Sequence, residues 1–188
     1  MYNKLDVDLR DSGHEPATCL MRPRNIYKIK QFILIFTFLF PTISYAVTYA
    51  DKVVVNKSEA KLYLEKNGVI FKEFHVVFGD NPAGHKQEEG DERTPEGIYV
   101  LDYKKSDSSF YKAIHISYPN NEDIEKAKNV GVNPGGQIMI HGQKNGLGWF
   151  SFFSQWVNWT DGCIAVKNSE MDQIWEAVHV GTPIEIQP

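Results

Sequence analysis

KVVVNKSEAKLYLEKNGVIFKEFHVVF, residues 52–78, holds three short β-branched and aromatic runs at 52–56, 60–64 and 69–78. Asn67 and Gly68 separate the last two. Both residue types accept a positive φ, and a two-residue turn of that kind matches the right-handed twist of its flanking strands. The domain therefore opens as a β-meander.

Working outward, GDNPAGHKQEEG (79–90) is polar and rich in Gly and Pro, which predicts a long loop. TPEG (94–97) predicts a turn, and strands are expected at 98–101, 113–117 and 135–140, the last running into His141 and Gly142. Residues 121–128 carry good helix formers between available Asn caps and Gly131, so a short surface helix is expected there. Asn168 can cap a second helix over 169–178, where Met171, Ile174, Trp175 and Val178 recur at helical spacing and mark a core face. A strand at 182–186 closes the chain. Strands dominate, and no alternation of strands with long helices suggests a parallel sheet, so the fold class is mainly β with a few short helices.

Upstream, Arg22, Arg24, Lys28 and Lys30 precede the apolar run FILIFTFLF (32–40), and Ser44 and Ala46 supply small residues at a cleavage-type site. This is the pattern of an export signal over 21–46, with processing near Val47 to Asp51; an uncleaved anchor is the alternative. The run falls short of the roughly 20 residues a bilayer span needs, and no stable membrane span is expected after cleavage. Residues 1–20 are acidic and unlike a signal's basic end, and Met21 is the natural start, which makes 1–20 an upstream extension. The expected domain is 47–188. The net charge of the chain is −4, and because 1–46 hold six basic and four acidic residues the remainder stands at −6. Nucleic acid is excluded as a partner on that charge.

Only Cys19 and Cys163 are present, and Cys19 lies upstream of the signal, so the exported domain keeps one thiol. An unpaired cysteine in an oxidising compartment flags reactivity, with a buried inert thiol as the alternative. Cys163 sits in WTDGCIAV (159–166), where Gly162 allows close backbone approach. A nucleophilic cysteine needs a base, oxyanion donors and partial exposure. His141, at the end of a strand and followed by Gly142, is the candidate base. Spacing alone leaves a catalytic pair and a buried cysteine beside a surface histidine evenly matched.

IHG at 140–142 followed by TDGC at 160–163, with GDERTPEG (90–97) and HISYPN (115–120) upstream, resembles the signature of the YkuD-like L,D-transpeptidase catalytic domain. The resemblance runs from about Lys52 to Ile186 and implies a β-sandwich-like fold. It also implies a Cys163 nucleophile, His141 as base and then acid with its tautomer held by a main-chain carbonyl near Gly142, and oxyanion donors around Gly162 and Cys163. It implies no metal or cofactor. The implied partner is a peptidoglycan tetrapeptide stem whose terminal D-alanine is expelled. The acceptor would be a neighbouring stem amine or the lysine of an anchored wall protein; with water the enzyme would be a hydrolase, carboxypeptidase or amidase. The implied location is the periplasm or cell envelope. Two departures bear on substrate choice: Asp161 stands where the family usually has His, and Ala165 where it often has Arg.

Among secondary candidates, Arg93 would grip a stem carboxylate or face solvent in a turn, and Tyr118 would line the cleft or pack on the sheet. Asp161 would orient a donor or cap the turn, and Thr160 accompanies it as a substrate-side residue. His85 and Lys86 would touch substrate from the long loop or be solvated. His75, His115 and His179 are read as structural or exposed. The aromatics Trp149, Phe150, Phe152, Phe153, Trp156 and Trp159 would form a lid or pack in the core.

Overall fold

The structure is a computed structural model, and it describes residues 48–146 and 157–188. The proposed signal and the aromatics at 149–156 therefore lie outside the described residues. Among the described residues eight strands form one sheet: β1 Lys52–Asn56, β2 Lys61–Lys66, β3 Val69–His75, β4 Gly97–Lys105, β5 Ala113–Ile116, β6 Met139–His141, β7 Ile164–Ala165 and β8 Thr182–Gln187. Their order across the sheet is β3-β2-β1-β8-β4-β5-β6-β7. Helices α1, Asn121–Val130, and α2, Asn168–Ala177, interrupt the strand order. The fold is mainly β.

The β2–β3 hairpin turns on Asn67 (φ 51°) and Gly68 (φ 75°), with Lys66 opposite Val69. The meander does not stay wholly antiparallel: β1 pairs in parallel with β8, and β6 with β7. One joins the two ends of the domain and the other spans residues 142–163, which is why local patterning gave no sign of either. The expected strand at 135–140 shortens to Met139–His141, and Gly135 (φ 73°) and Gln137 (φ 58°) adopt left-handed conformations that interrupt the extended backbone of a regular ladder.

Just past β3, Val77 exchanges two main-chain hydrogen bonds with Ala165 of β7, at 3.0 and 2.9 Å. The far edges of the sheet thereby meet, and the sheet curls around its own core. That core is the inward set of alternating residues, Val53, Val55, Leu62, Leu64, Ile114, Ile116, Ile140, Ile164, Ile184 and Ile186, all buried. Met171, Ile174 and Val178 of α2 join it, and Trp175 packs at its margin. Each such side chain contributes about 1.5–3 kcal/mol through burial.

Helix α1 starts as expected. Asn120 accepts from the Asp123 N–H while Asp123 accepts from the Asn120 N–H, both at 3.0 Å, and Gly131 (φ 76°) ends it. Helix α2 starts differently. Glu170 accepts from the Lys167 N–H at 3.0 Å, and Asn168, expected as the cap, is the first helical residue and turns its side chain toward the segment after His141.

Candidate active site

Ile140 pairs with Ile164 and His141 with Ala165 in the parallel β6–β7 register. Side chains alternate across a strand, so Ile140 and Ile164 enter the core while His141 and Cys163, two residues before Ala165, belong to the opposite face. Both line one cleft of about 280 Å³ with Lys105, Ser108, Phe110, Trp159, Thr160 and Asp161. Cys163 is half-buried and its thiol donates toward the Gln137 carbonyl at 3.6 Å.

His141 is buried. Its Nδ1 lies 2.6 Å from the Gly142 carbonyl, an acceptor only, so Nδ1 carries the proton and Nε2 is left as the acceptor nitrogen. The ring packs 4.4 Å from Phe110 and 5.8 Å from Trp159, centroid to centroid. Gly142 is needed here: a Cβ would come within 2.6 Å of Tyr111 O and 2.7 Å of Asn168 Oδ1. Asn168 Oδ1 accepts the Gln143 N–H at 2.8 Å, and Gln143 Nε2 donates to Val166 O at 2.9 Å. These contacts tie the chain leaving His141 to α2 and to the strand that follows Cys163.

Burial pushes the Cys163 thiol above its ordinary range, a hydrogen bond from the Met139 main chain opposes this, the Asp161 charge adds to it, and the Lys86 charge opposes it. Burial also pulls His141 below 6.5, against the raising effect of the Gly142 carbonyl. The pair therefore rests as neutral thiol and neutral imidazole near pH 7. Both shifts have consequences for stability. The depressed His141 value contributes stability that is complete above about pH 6.5 and is lost as pH falls through the lower folded-state value. The raised Cys163 value contributes stability present below about pH 9 and lost as pH rises through its folded-state value. His141→Gln is expected to flatten the acid side of a Tm-against-pH curve below about pH 6.5. An unchanged acid limb would place that loss elsewhere.

The other sequence candidates separate. Thr160 and Asp161 line the cleft, but the Thr160 hydroxyl is turned away from it and donates to Cys163 O at 2.7 Å. Asp161 is exposed at the rim. Arg93 meets the Gly162–Cys163 turn through its backbone rather than its guanidinium, whose Nε is buried with no partner among the described residues. Tyr118 is buried in the core, its hydroxyl donating to Pro134 O at 3.0 Å. Neither residue is among those lining the cleft.

Gln87 to Gly90 of the long loop are exposed, but the two candidates on it are tied into the fold. Lys86 is buried against Asp91 at 2.7 Å and Glu88 O at 3.0 Å, and His85 accepts the Glu96 N–H at 3.0 Å and reaches Asp123 at 3.2 Å. His115 is buried against Asp102 at 2.7 Å, while His75 and His179 are exposed. Phe110, Asn168 and Thr94 have no site role in the sequence pattern. Only Thr94 carried a signal, being inside the GDERTPEG segment.

The L,D-transpeptidase catalytic domain model, YkuD, matches residues 50–186. YafK of Escherichia coli strain K12 is 33% identical over 97 residues, which are 50% of this chain and 32% of YafK, so the chain spans about a third of that relative's length. The crystal structure of the helical cell shape determining protein Pgp2 from Campylobacter jejuni is 28% identical, with a TM-score of 0.55 over 72% of this chain and 46% of Pgp2. Bd1075 of Bdellovibrio bacteriovorus shares the fold, at 23% identity and a TM-score of 0.52 over 73% of this chain and 48% of that one. Matched by the family model over nearly all of the described residues, the chain belongs to the L,D-transpeptidase catalytic domain family.

Proposed function

We propose that this protein is an exported peptidoglycan L,D-transpeptidase that forms a thioester between Cys163 and a tetrapeptide stem. The observation that carries the reading is the shared cleft of Cys163 and His141, with the His141 tautomer that leaves Nε2 free to accept a proton. Family membership and the export pattern at 21–46 support it. Among the described residues no helix is long and apolar enough to cross a membrane. Similarity to Pgp2 extends the proposal to a part in wall shape.

In this mechanism His141 Nε2 takes the thiol proton as Sγ attacks the carbonyl carbon of the diamino acid's L-centre. The carbonyl electron pair moves onto oxygen, where main-chain N–H groups at the nucleophile turn stabilise it. The C–N bond to the terminal D-alanine then breaks, and His141 returns the proton to the departing amine. An acceptor amine attacks the thioester, sulfur leaves, and the proton passes back to it through His141. No step requires a metal or cofactor. Arg93, Tyr118, Asp161 and Thr160 are kept as contributors on the substrate side only where they reach the cleft, which leaves the rim carboxylate of Asp161 as the foremost of them.

Intact-protein mass spectrometry after incubation with a diaminopimelate tetrapeptide tests the reading. The expected result is a mass gain equal to the stem less D-alanine, on the Cys163 peptide, with free D-alanine released. Added acceptor amine should discharge the adduct into a crosslinked product; discharge to the free acid alone would make water the acceptor. Absence of both adduct and D-alanine would overturn the assignment.

The neutral resting pair also sets a pH profile. Acylation needs the unprotonated imidazole, so its acid limb should fall below the ordinary histidine value of about 6.5. A rate-against-pH series on the wild type checks this, and a limb above 6.5 would contradict the buried, neutral His141.

A further inference from the structure

The nucleophile turn is held from both sides by threonine hydroxyls. Thr94 is fully buried, and its Oγ1 donates to the Gly162 carbonyl at 2.9 Å. Thr160 is also buried, and its Oγ1 donates to the Cys163 carbonyl at 2.7 Å. The two carbonyls flanking the nucleophile are thus each fixed by a side chain, one from the long loop before β4 and one from the turn itself. Thr94 gets this close only because position 162 is glycine: a Cβ there would overlap the Arg93 carbonyl, and φ is 106°.

A trans peptide points its C=O and N–H in opposite directions. Fixing the Gly162 carbonyl on Thr94 therefore fixes the Cys163 N–H on the other side of the same peptide plane, away from the loop. The ladder does not use that N–H. Val166 N–H goes to His141 O and Ala165 N–H to Val77 O, and no acceptor among the described residues takes the Cys163 N–H. Among the described residues it is a donor held in place and left unspent.

We propose that Thr94 and Thr160 form a clamp that presets the Cys163 N–H as an oxyanion donor. Thr94 is then a positioning residue that acts through the Gly162–Cys163 peptide and touches no substrate. This deepens the thioester mechanism proposed above and rests on it. Removal of the hydroxyl should slow only reactions that build negative charge on a carbonyl oxygen. Direct alkylation of the thiol at a saturated carbon builds none and should not respond.

The test compares two rates on the same protein: single-turnover acylation by the diaminopimelate tetrapeptide, and alkylation of Cys163 by iodoacetamide. Thr94→Val is expected to lower acylation by about ten- to a hundredfold, toward the loss seen when an oxyanion donor is removed. Alkylation and the half-saturating donor concentration should stay within about twofold, since neither depends on the oxyanion. Thr94→Ser should restore acylation.

Equal losses in acylation and alkylation, or no loss in acylation, would overturn the clamp. Should Thr94→Val not fold, Thr94→Ala carries the same comparison, with the same outcomes deciding it. Wild-type protein that is alkylated but never acylated would overturn the transpeptidase reading and the clamp together. Wild-type acylation with an unaffected variant would overturn the clamp alone.

Discussion

Cys163→Ala should show no acyl adduct and no D-alanine release, and His141→Ala should acylate about a thousandfold more slowly than wild type at pH 7, within the 10²–10⁴ range of a lost general base. The two variants should differ in how they respond to pH. Burial holds the thiol above its ordinary range, so without His141 little thiolate exists at neutral pH. The His141→Ala rate should therefore climb about tenfold per pH unit as the thiolate fraction grows, and level off above pH 9. Wild-type protein, whose base does the work, should stay nearly flat over the same range. Single-turnover acylation between pH 6 and 10 reads both slopes. A His141→Ala profile as flat as the wild type would mean that the imidazole is not the base, whatever its place in the cleft.

The fold was legible in the sequence where local chemistry decides it and illegible where distant segments meet. Asn67 and Gly68 announce their hairpin because each needs a positive φ, and Asn120 to Gly131 announce a helix through its caps. Nothing local in VVV (53–55) says that β1 will lie beside β8, or that Val77 will close the sheet onto Ala165. Those pairings depend on shared burial of apolar faces across more than a hundred residues in one case and nearly ninety in the other, for which no residue carries a mark.

The candidate site divides in the same way. Cys163 and His141 stand out as candidates because few residue types supply a nucleophile and a base, and both stand beside a glycine. The residues that hold them were harder to see. Asn168 has the chemistry of a helix cap, yet its carboxamide serves the Gln143 N–H across 25 positions. Thr160 has a side chain suited to a substrate contact, but its hydroxyl turns back to its own loop's carbonyl. Charged residues on a polar loop suggest solvent, and Lys86 is nonetheless buried because Asp91 lies five positions on and folds back to meet it. Side chains of this kind have several partners available, and only the tertiary structure selects one.

Gly162→Ala carries the second large effect, and it separates close packing from backbone preference. Gly68 and Gly162 both adopt positive φ, 75° and 106°. At Gly68 a Cβ meets nothing within 4 Å, so Gly68→Ala should cost only the conformational preference, about 1 kcal/mol. At Gly162 the same methyl would overlap the Arg93 carbonyl and crowd Ile138, within 3.4 Å of its Cδ1. Relief requires the Arg93–Thr94 segment to withdraw, which breaks the Thr94 hydrogen bond to Gly162 O and leaves a buried carbonyl unpaired, itself worth about 1–3 kcal/mol. The sum is on the order of 3 kcal/mol or more, or a fall in Tm of roughly 10 °C for a domain of this size, against a few degrees for Gly68→Ala. Thermal unfolding of the two variants side by side checks the difference. Acylation should fall in Gly162→Ala at temperatures where it is still folded and stay at the wild-type rate in Gly68→Ala, because only the first moves the peptide that bears the Cys163 N–H. Equal Tm losses in the two would mean that the loop before β4 yields freely, and that the nucleophile turn does not depend on its contact with Arg93 and Thr94.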